Sequence, residues 1–223
     1  SNARTNEHFS DVSTLTVVGK LLEILAYLHS NKHEHRFGHG WVHRDVKDAN
    51  VIVSSSGSRV TLIDFGFCKE AGSTEKRTDD SFFRIGAPRY SPPRKHEYPT
   101  HAIAVQDVFA VGVLAYQMLT NRFPWSASES EGEGELTEAM RTGRPPSVDQ
   151  LNNTVRPNVA RYVSRLLDIR DEYRVAASEA ALEARDLLTQ LAGSPVGHGA
   201  DTVSPLKFPE EWRDPIYGDI RLT

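Results

Sequence analysis

The sequence has 223 residues, and its 26 basic against 30 acidic side chains leave a formal charge of −4. That mild acidity argues against a general nucleic-acid or anionic-membrane binder, which would carry a basic surplus. A composition 39% hydrophobic and 25% charged is globular, and at roughly 150 residues per domain the length allows one large domain or two small ones.

The three residues Ser1, Asn2 and Ala3, with no initiator Met, resemble the remnant of a cleaved tag and are set aside. From there the chain divides into a body over 4–193 and a Pro-containing tail over 194–223. Leu15, Val18, Leu21, Leu22, Leu25 and Leu28 recur at helical spacing and predict a helix over 12–30. A polar loop over 31–40 ends in glycine. Its His33, His35 and His39 read as a polar loop rather than a metal site. Two β-branched runs, 51–53 and 60–63, flank a Ser/Gly turn and predict a hairpin. The Gly/Pro/Ser/Thr-rich stretch 69–100 predicts extended chain, and 105–120 is apolar all round, as a core helix is. The run of Ser, Glu and Gly over 126–135 reads as a solvated loop. Further helices are expected over 135–142, 157–168 and 176–191, with no long helix in the tail. No uninterrupted apolar run approaches the roughly 20 residues that span a bilayer; the longest is 110–116. The single cysteine, Cys68, excludes a disulfide framework and fits a reducing, cytoplasmic setting. The predicted architecture is mostly α, a helical body with one small hairpin; helices and strands do not alternate as a doubly wound sheet requires.

The hairpin gathers chemistry. Asn50 precedes its first strand and Asp64 follows its second, so an antiparallel pairing sets them side by side, with facing Cα atoms roughly 5 Å apart. Asp45 and Lys47 lie on the loop leading in. Carboxylate and amide oxygens suit Mg²⁺, which commonly takes one or two protein ligands plus substrate phosphates. A lysine suits a phosphate, and a second carboxylate can accept a hydroxyl proton.

These residues carry a resemblance. The stretch from His43 through Arg44, Asp45, Val46, Lys47, Asp48 and Ala49 to Asn50 resembles the catalytic loop of eukaryotic-type protein kinases, H-R-D-x-x-x-x-N. Asp64, Phe65 and Gly66 resemble D-F-G. Gly86 to Pro93 resembles the segment ending in A-P-E, Asp107 to Gly112 the start of the large central helix, and Arg174 the family's buried arginine. The motifs run in the family's order over roughly 12–191. The resemblance implies the C-terminal lobe of a Ser/Thr protein kinase, α+β by family. It implies Asp45 as the acceptor of the substrate hydroxyl proton, Lys47 on the transferring phosphate, and Asn50 and Asp64 as ligands of Mg²⁺ on ATP. It also implies Ile52 as part of the adenine floor above Leu114 and Met118, His43 stacked with Phe65, and Asp107 anchoring the catalytic loop. Arg44 would receive a phosphate placed on Ser73, Thr74, Thr78 or Ser81. The implied partner is a protein substrate, with neither nucleic acid nor membrane involved, and Ala49 and Gln117 do not indicate selection of basic peptides.

Three departures bear on activity. No G-x-G-x-x-G loop or V-A-I-K strand occurs, so the N-terminal lobe of the family is expected to be missing or supplied by a partner, and this chain alone to be inactive or weak. Ala87 stands where the family has a Thr, and Arg94 where it has the glutamate that pairs with the buried arginine. Arg94 is therefore expected to face solvent, or Glu97 or another acid to take its role. A kinase-derived binding module without catalysis is the alternative reading, and a small-molecule phosphotransferase is a third.

Overall fold

The apolar-periodic run folds as helix α1, Asp11–His29, with Ser10 as its N-cap accepting from the Ser13 amide at 3.1 Å. The structure, a computed structural model, describes residues 8–30, 40–54, 57, 59–74, 87–125, 133–193 and 220–221. Among these, α1 alone is long and apolar enough to cross a membrane. Its Leu15, Val17, Val18, Leu21, Leu22 and Leu25 are instead buried, mainly against α7 (Ala177–Gly193) and α3 (Val105–Thr120). This is the profile of a core helix.

Helix α3 is the axis of the body. Its residues from Gln106 to Thr120 are buried apart from Gln117, as its unpatterned apolar sequence predicts. Asn121 ends it in the left-handed conformation, at φ 54°. Helix α6, Pro157–Leu166, crosses α3 at Gly112, where an added Cβ would stand 2.8 Å from the Leu166 Cβ and 3.1 Å from its carbonyl carbon. Only glycine lets the two backbones come this close. Gly112→Ala is therefore expected to lower stability by about 1–2 kcal/mol, because crowding against backbone outweighs the gain in helix propensity. The check is the urea midpoint at unchanged m-value; a midpoint at or above that of the wild type would show that the helices part without cost.

The hairpin forms as expected, but its register is one residue off the expected alignment of Asn50 with Asp64: Asn50 stands opposite Ile63. Strand β2, Val51–Val53, pairs antiparallel with β3, Val60–Leu62, aligning Val51 with Leu62 and Val53 with Val60. Two further pairings were not legible in the sequence. Strand β1, Trp41–Val42, pairs with β4, Lys69–Glu70, and β5, Ile220–Arg221, pairs with the free edge of β2. The expectation of one hairpin is corrected accordingly: two-residue ladders are too short to show a period. The expected extended stretch 69–100 opens as one in β4 but is broken by a 3₁₀ turn at Pro88–Tyr90 and by the short helix α2, Pro93–Glu97. Helix α4, Glu133–Thr142, begins two residues before the predicted 135, and a one-turn helix α5, Val148–Leu151, was not predicted. Helices α6 and α7 fall within about two residues of their predicted bounds. The histidines of 31–39, Thr78, Ser81, the serine- and glutamate-rich 126–132 and most of the tail lie outside the described residues.

Candidate active site

The hairpin brings its two open ends together as the sequence requires. The Ile63 amide donates to the Asn50 carbonyl at 2.9 Å, one step beyond the Val51–Leu62 pair. Asn50 closes a 3₁₀ turn, Asp48–Asn50, and is buried, whereas Asp64 is exposed in the left-handed region at φ 63°. Asp64 Oδ1 accepts from the Gly66 amide at 3.2 Å, which fixes the carboxylate at the hairpin mouth. A non-glycine residue in that region costs roughly 1–2 kcal/mol, so the surrounding structure must enforce it.

Asp45, Lys47 and Asn50 form one cluster. Lys47 Nζ donates to Asp45 Oδ2 at 2.7 Å, and Asn50 Nδ2 donates to the same oxygen at 3.0 Å and to the Asp45 carbonyl at 2.8 Å. Asp45 is buried, and its Oδ1 has no hydrogen-bond partner among the described residues. One carboxylate oxygen is thus held by two donors while the other is left as an acceptor. The Asn50 amide turns its nitrogen to Asp45, which leaves its oxygen as the end that can meet a cation.

The loop beneath is held from α3. Asp107 Oδ2 accepts from the His43 amide at 2.8 Å and Oδ1 from the Arg44 amide at 2.9 Å. His29, at the end of α1, places Nε2 at 2.9 Å from Asp107 Oδ2. Burial alone would push the Asp107 carboxyl up, but its bond to His29, the His29 charge and the Arg44 amide hold it below its ordinary value. Gly40 permits this return of the chain, because a Cβ there would collide with the His29 carbonyl.

Burial pushes the His43 imidazole down against the pull of Asp107, so it is neutral near pH 7. Its Nδ1 accepts from the Asp45 amide at 3.3 Å, so the proton sits on Nε2, 3.1 Å from the Ile63 carbonyl. His43 thereby ties the Asp45 backbone to the end of β3. Its ring meets Phe65 edge-on at 4.9 Å between centroids. These contacts give it the packing role expected for it.

The arginine departure resolves as a substitution. Arg174 is buried over the Phe109 ring and pairs with Asp171, three residues upstream on a 3₁₀ turn. Arg94 is half exposed, with Nε 3.7 Å from Asp171 Oδ2. Glu97, the acid named from sequence, pairs instead with Arg141. Arg44 is buried, and its guanidinium donates to the Pro99 carbonyl at 2.6 Å.

Asp45, Lys47 and Asn50 are therefore in direct contact, while Asp64 stands at the hairpin end beside Asn50. Ile52 lies between them on β2, half-buried, with Leu114 and Met118 both buried on α3. Sequence reasoning missed two groups, His29 and Lys95. Neither carries a local signal: His29 ends an otherwise ordinary helix, and Lys95 sits in a Pro-Pro-Arg-Lys-His stretch that reads as surface. The donor set suits Mg²⁺: one exposed carboxylate and one amide oxygen, both hard. Among the described residues no three His, Cys, Asp or Glu side chains cluster as a transition-metal site would.

A family model described as the protein kinase domain matches residues 2–184. The chain is 24% identical over 192 residues to serine/threonine-protein kinase B of Synechocystis sp., covering 83% of this chain and 30% of that protein. It is 30% identical over 184 residues to a probable serine/threonine-protein kinase, pknA2, of Bifidobacterium longum, covering 82% of this chain and 22% of the relative. It is also 36% identical over 132 residues to mitogen-activated protein kinase kinase kinase 5 of Arabidopsis thaliana, covering 56% of this chain and 16% of the relative. The chain thus spans less than a third of each of these relatives.

Proposed function

The chain belongs to the protein kinase domain family, and from that premise we propose that it is the catalytic lobe of an ATP-dependent Ser/Thr protein kinase. The observation that supports this most is the Asp45 carboxylate, with Oδ2 held by Lys47 and Asn50 and Oδ1 buried without a partner among the described residues. In this reading Oδ1 accepts the hydroxyl proton of a Ser or Thr as its oxygen attacks the γ-phosphorus of ATP. Lys47 lies beside the attacked phosphate and offsets its developing charge. Asn50 and Asp64 would hold Mg²⁺, which when bound neutralises the phosphate oxygens. Ile52 contributes apolar surface beneath the adenine. The protein acts chiefly by positioning, which is why the loop's anchors matter as much as its side chains.

The sequence contains no glycine-rich phosphate loop. The proposal therefore places that half of the nucleotide site on a further segment or a partner, and the protein substrate outside this chain. The lone Cys68, half-buried, is compatible with the cytoplasmic setting we propose. A binding module without catalysis is the second reading, favoured by Ala87 and the displaced Arg94. Against it, Asp171 has taken over the buried arginine, so the lobe keeps its internal pairing.

Thermal stability with and without millimolar Mg·ATP discriminates the two, because a ligand of the folded state raises Tm by mass action. We expect a rise of a few degrees that disappears in Asp64→Ala. No rise in the chain alone would show that the rest of the nucleotide site is indispensable, and no rise once that part is supplied would favour the binding module.

A further inference from the structure

We propose that Lys95 is a positioning residue of the catalytic loop: entering from α2, its ammonium holds the Arg44 carbonyl and so fixes the peptide group from which Asp45 projects. The sequence prepares this placement. Pro92 and Pro93 set the start of α2, where the Lys95 amide donates to the Pro92 carbonyl at 2.9 Å. The short helix then turns Arg94 outward and Lys95 inward, where it is buried and Nζ donates to the Arg44 carbonyl.

Arg44 lies in the left-handed region at φ 71°, a conformation that persists in a non-glycine residue only where the surroundings over-determine it. Three contacts do so here. Asp107 takes the Arg44 amide, His43 Nδ1 takes the Asp45 amide, and Lys95 takes the carbonyl between them. The first two come from α3 and from the loop itself; Lys95 is the clamp from the far side of the site.

The crevice that Lys95 enters is lined by Arg44, Asp45, Ala87, Tyr90 and Asp107 and is too narrow to hold a water. The charged groups facing the ammonium are Asp107 from α3 and Arg44, Asp45 and Lys47 from the loop. The Tyr90 phenol, pushed up by burial, stays neutral and donates to Gln117 at 2.7 Å. Burial pushes Lys95 down to about 8; Arg44 and Lys47 add to this, while Asp107 and Asp45 oppose it.

The catalytic consequence rests on the kinase reading, so the test has an arm that does not. In ¹³C-lysine and ¹⁵N spectra of the wild-type chain, the Lys95 ε-carbon is expected to titrate near pH 8, and the Asp45 amide resonance to move with the same midpoint. An Asp45 amide indifferent to the Lys95 titration, at whatever pH that falls, would overturn the proposal. This arm needs neither activity nor a variant. In the second arm, Lys95→Met in the phosphate-transferring protein is expected to lower kcat roughly ten- to a hundredfold, with KM for ATP within about twofold. An unchanged kcat would overturn the proposal as well. A wild-type protein that transfers no phosphate would refute the kinase reading and leave the positioning role to be decided by the spectra.

Discussion

Replacing Asp107 by alanine is expected to cost about 3–5 kcal/mol of folding stability. The carboxylate is buried and accepts from two backbone amides and from His29. Alanine would leave those donors without an acceptor, in a place where water cannot readily follow. The loss is comparable to the lower end of a domain's total stability, about 5 kcal/mol. The loop would therefore melt first and take the left-handed Arg44 with it. Asn is a poor rescue, because the carboxylate uses both oxygens and an amide offers only one. The same carboxylate gives a pH signature. Its folded pKa lies below its ordinary value, so the folded state binds fewer protons than the unfolded one as the group titrates. The stabilisation is complete above the ordinary carboxylate pKa and is lost as pH falls through the lower, folded one. Urea midpoints of wild type and Asp107→Asn, compared from about pH 7 down to about pH 3, should converge at the acid end. A constant gap would show that the charge contributes nothing.

The sequence showed best what is local. The Leu and Val spacing of α1 and the all-round apolarity of α3 define a helix each, because both are long enough for a period to show. The hairpin was readable from two β-branched runs and a turn, and it fixes the neighbourhood of Asn50 and Asp64 through register alone. Asp45 and Lys47 could be placed beside them because they are only a few residues upstream. What escaped was contact across distance. His29 meets Asp107 from 78 positions away, and Lys95 meets Arg44 from 51. No window of periodicity contains either pair. The buried partner of Arg174 escaped for a different reason. Asp171 lies only three residues upstream, but the pairing exists only because the chain makes a 3₁₀ turn there, and a three-residue turn leaves no pattern to read. Arg94 and Asp171 together show how a motif can lose its usual residue while the interaction survives. The acid has moved from the segment before α3 to the segment before α7, and the arginine it serves remains buried.

On the kinase reading, and with the rest of the nucleotide site supplied, Asp45→Asn is expected to reduce phosphoryl transfer to a Ser/Thr acceptor by about 10²- to 10⁴-fold, the range that a positioned acid–base group supplies. The substitution isolates one atom. Lys47 and Asn50 both donate to Oδ2, so the introduced amide turns its oxygen to them and its nitrogen to the place of Oδ1. That nitrogen carries hydrogens and cannot accept the substrate proton. Shape, packing and the contacts of Lys47 and Asn50 are otherwise kept. Nucleotide binding should be kept too, since Asn50, Asp64 and Ile52 are untouched, and the Mg·ATP-dependent rise in Tm serves as the control. Lys47→Met should lower the rate by a smaller factor, because it removes a charge beside the phosphate but leaves an oxygen to take the proton. An Asp45→Asn variant that retained more than about a tenth of the wild-type rate would show that the proton leaves by another route. If wild type and variant bound nucleotide equally and neither transferred phosphate even with the remaining half of the nucleotide site supplied, the lobe would be a nucleotide-responsive binding module, and an Oδ1 without a partner among the described residues would have to be explained by something other than catalysis.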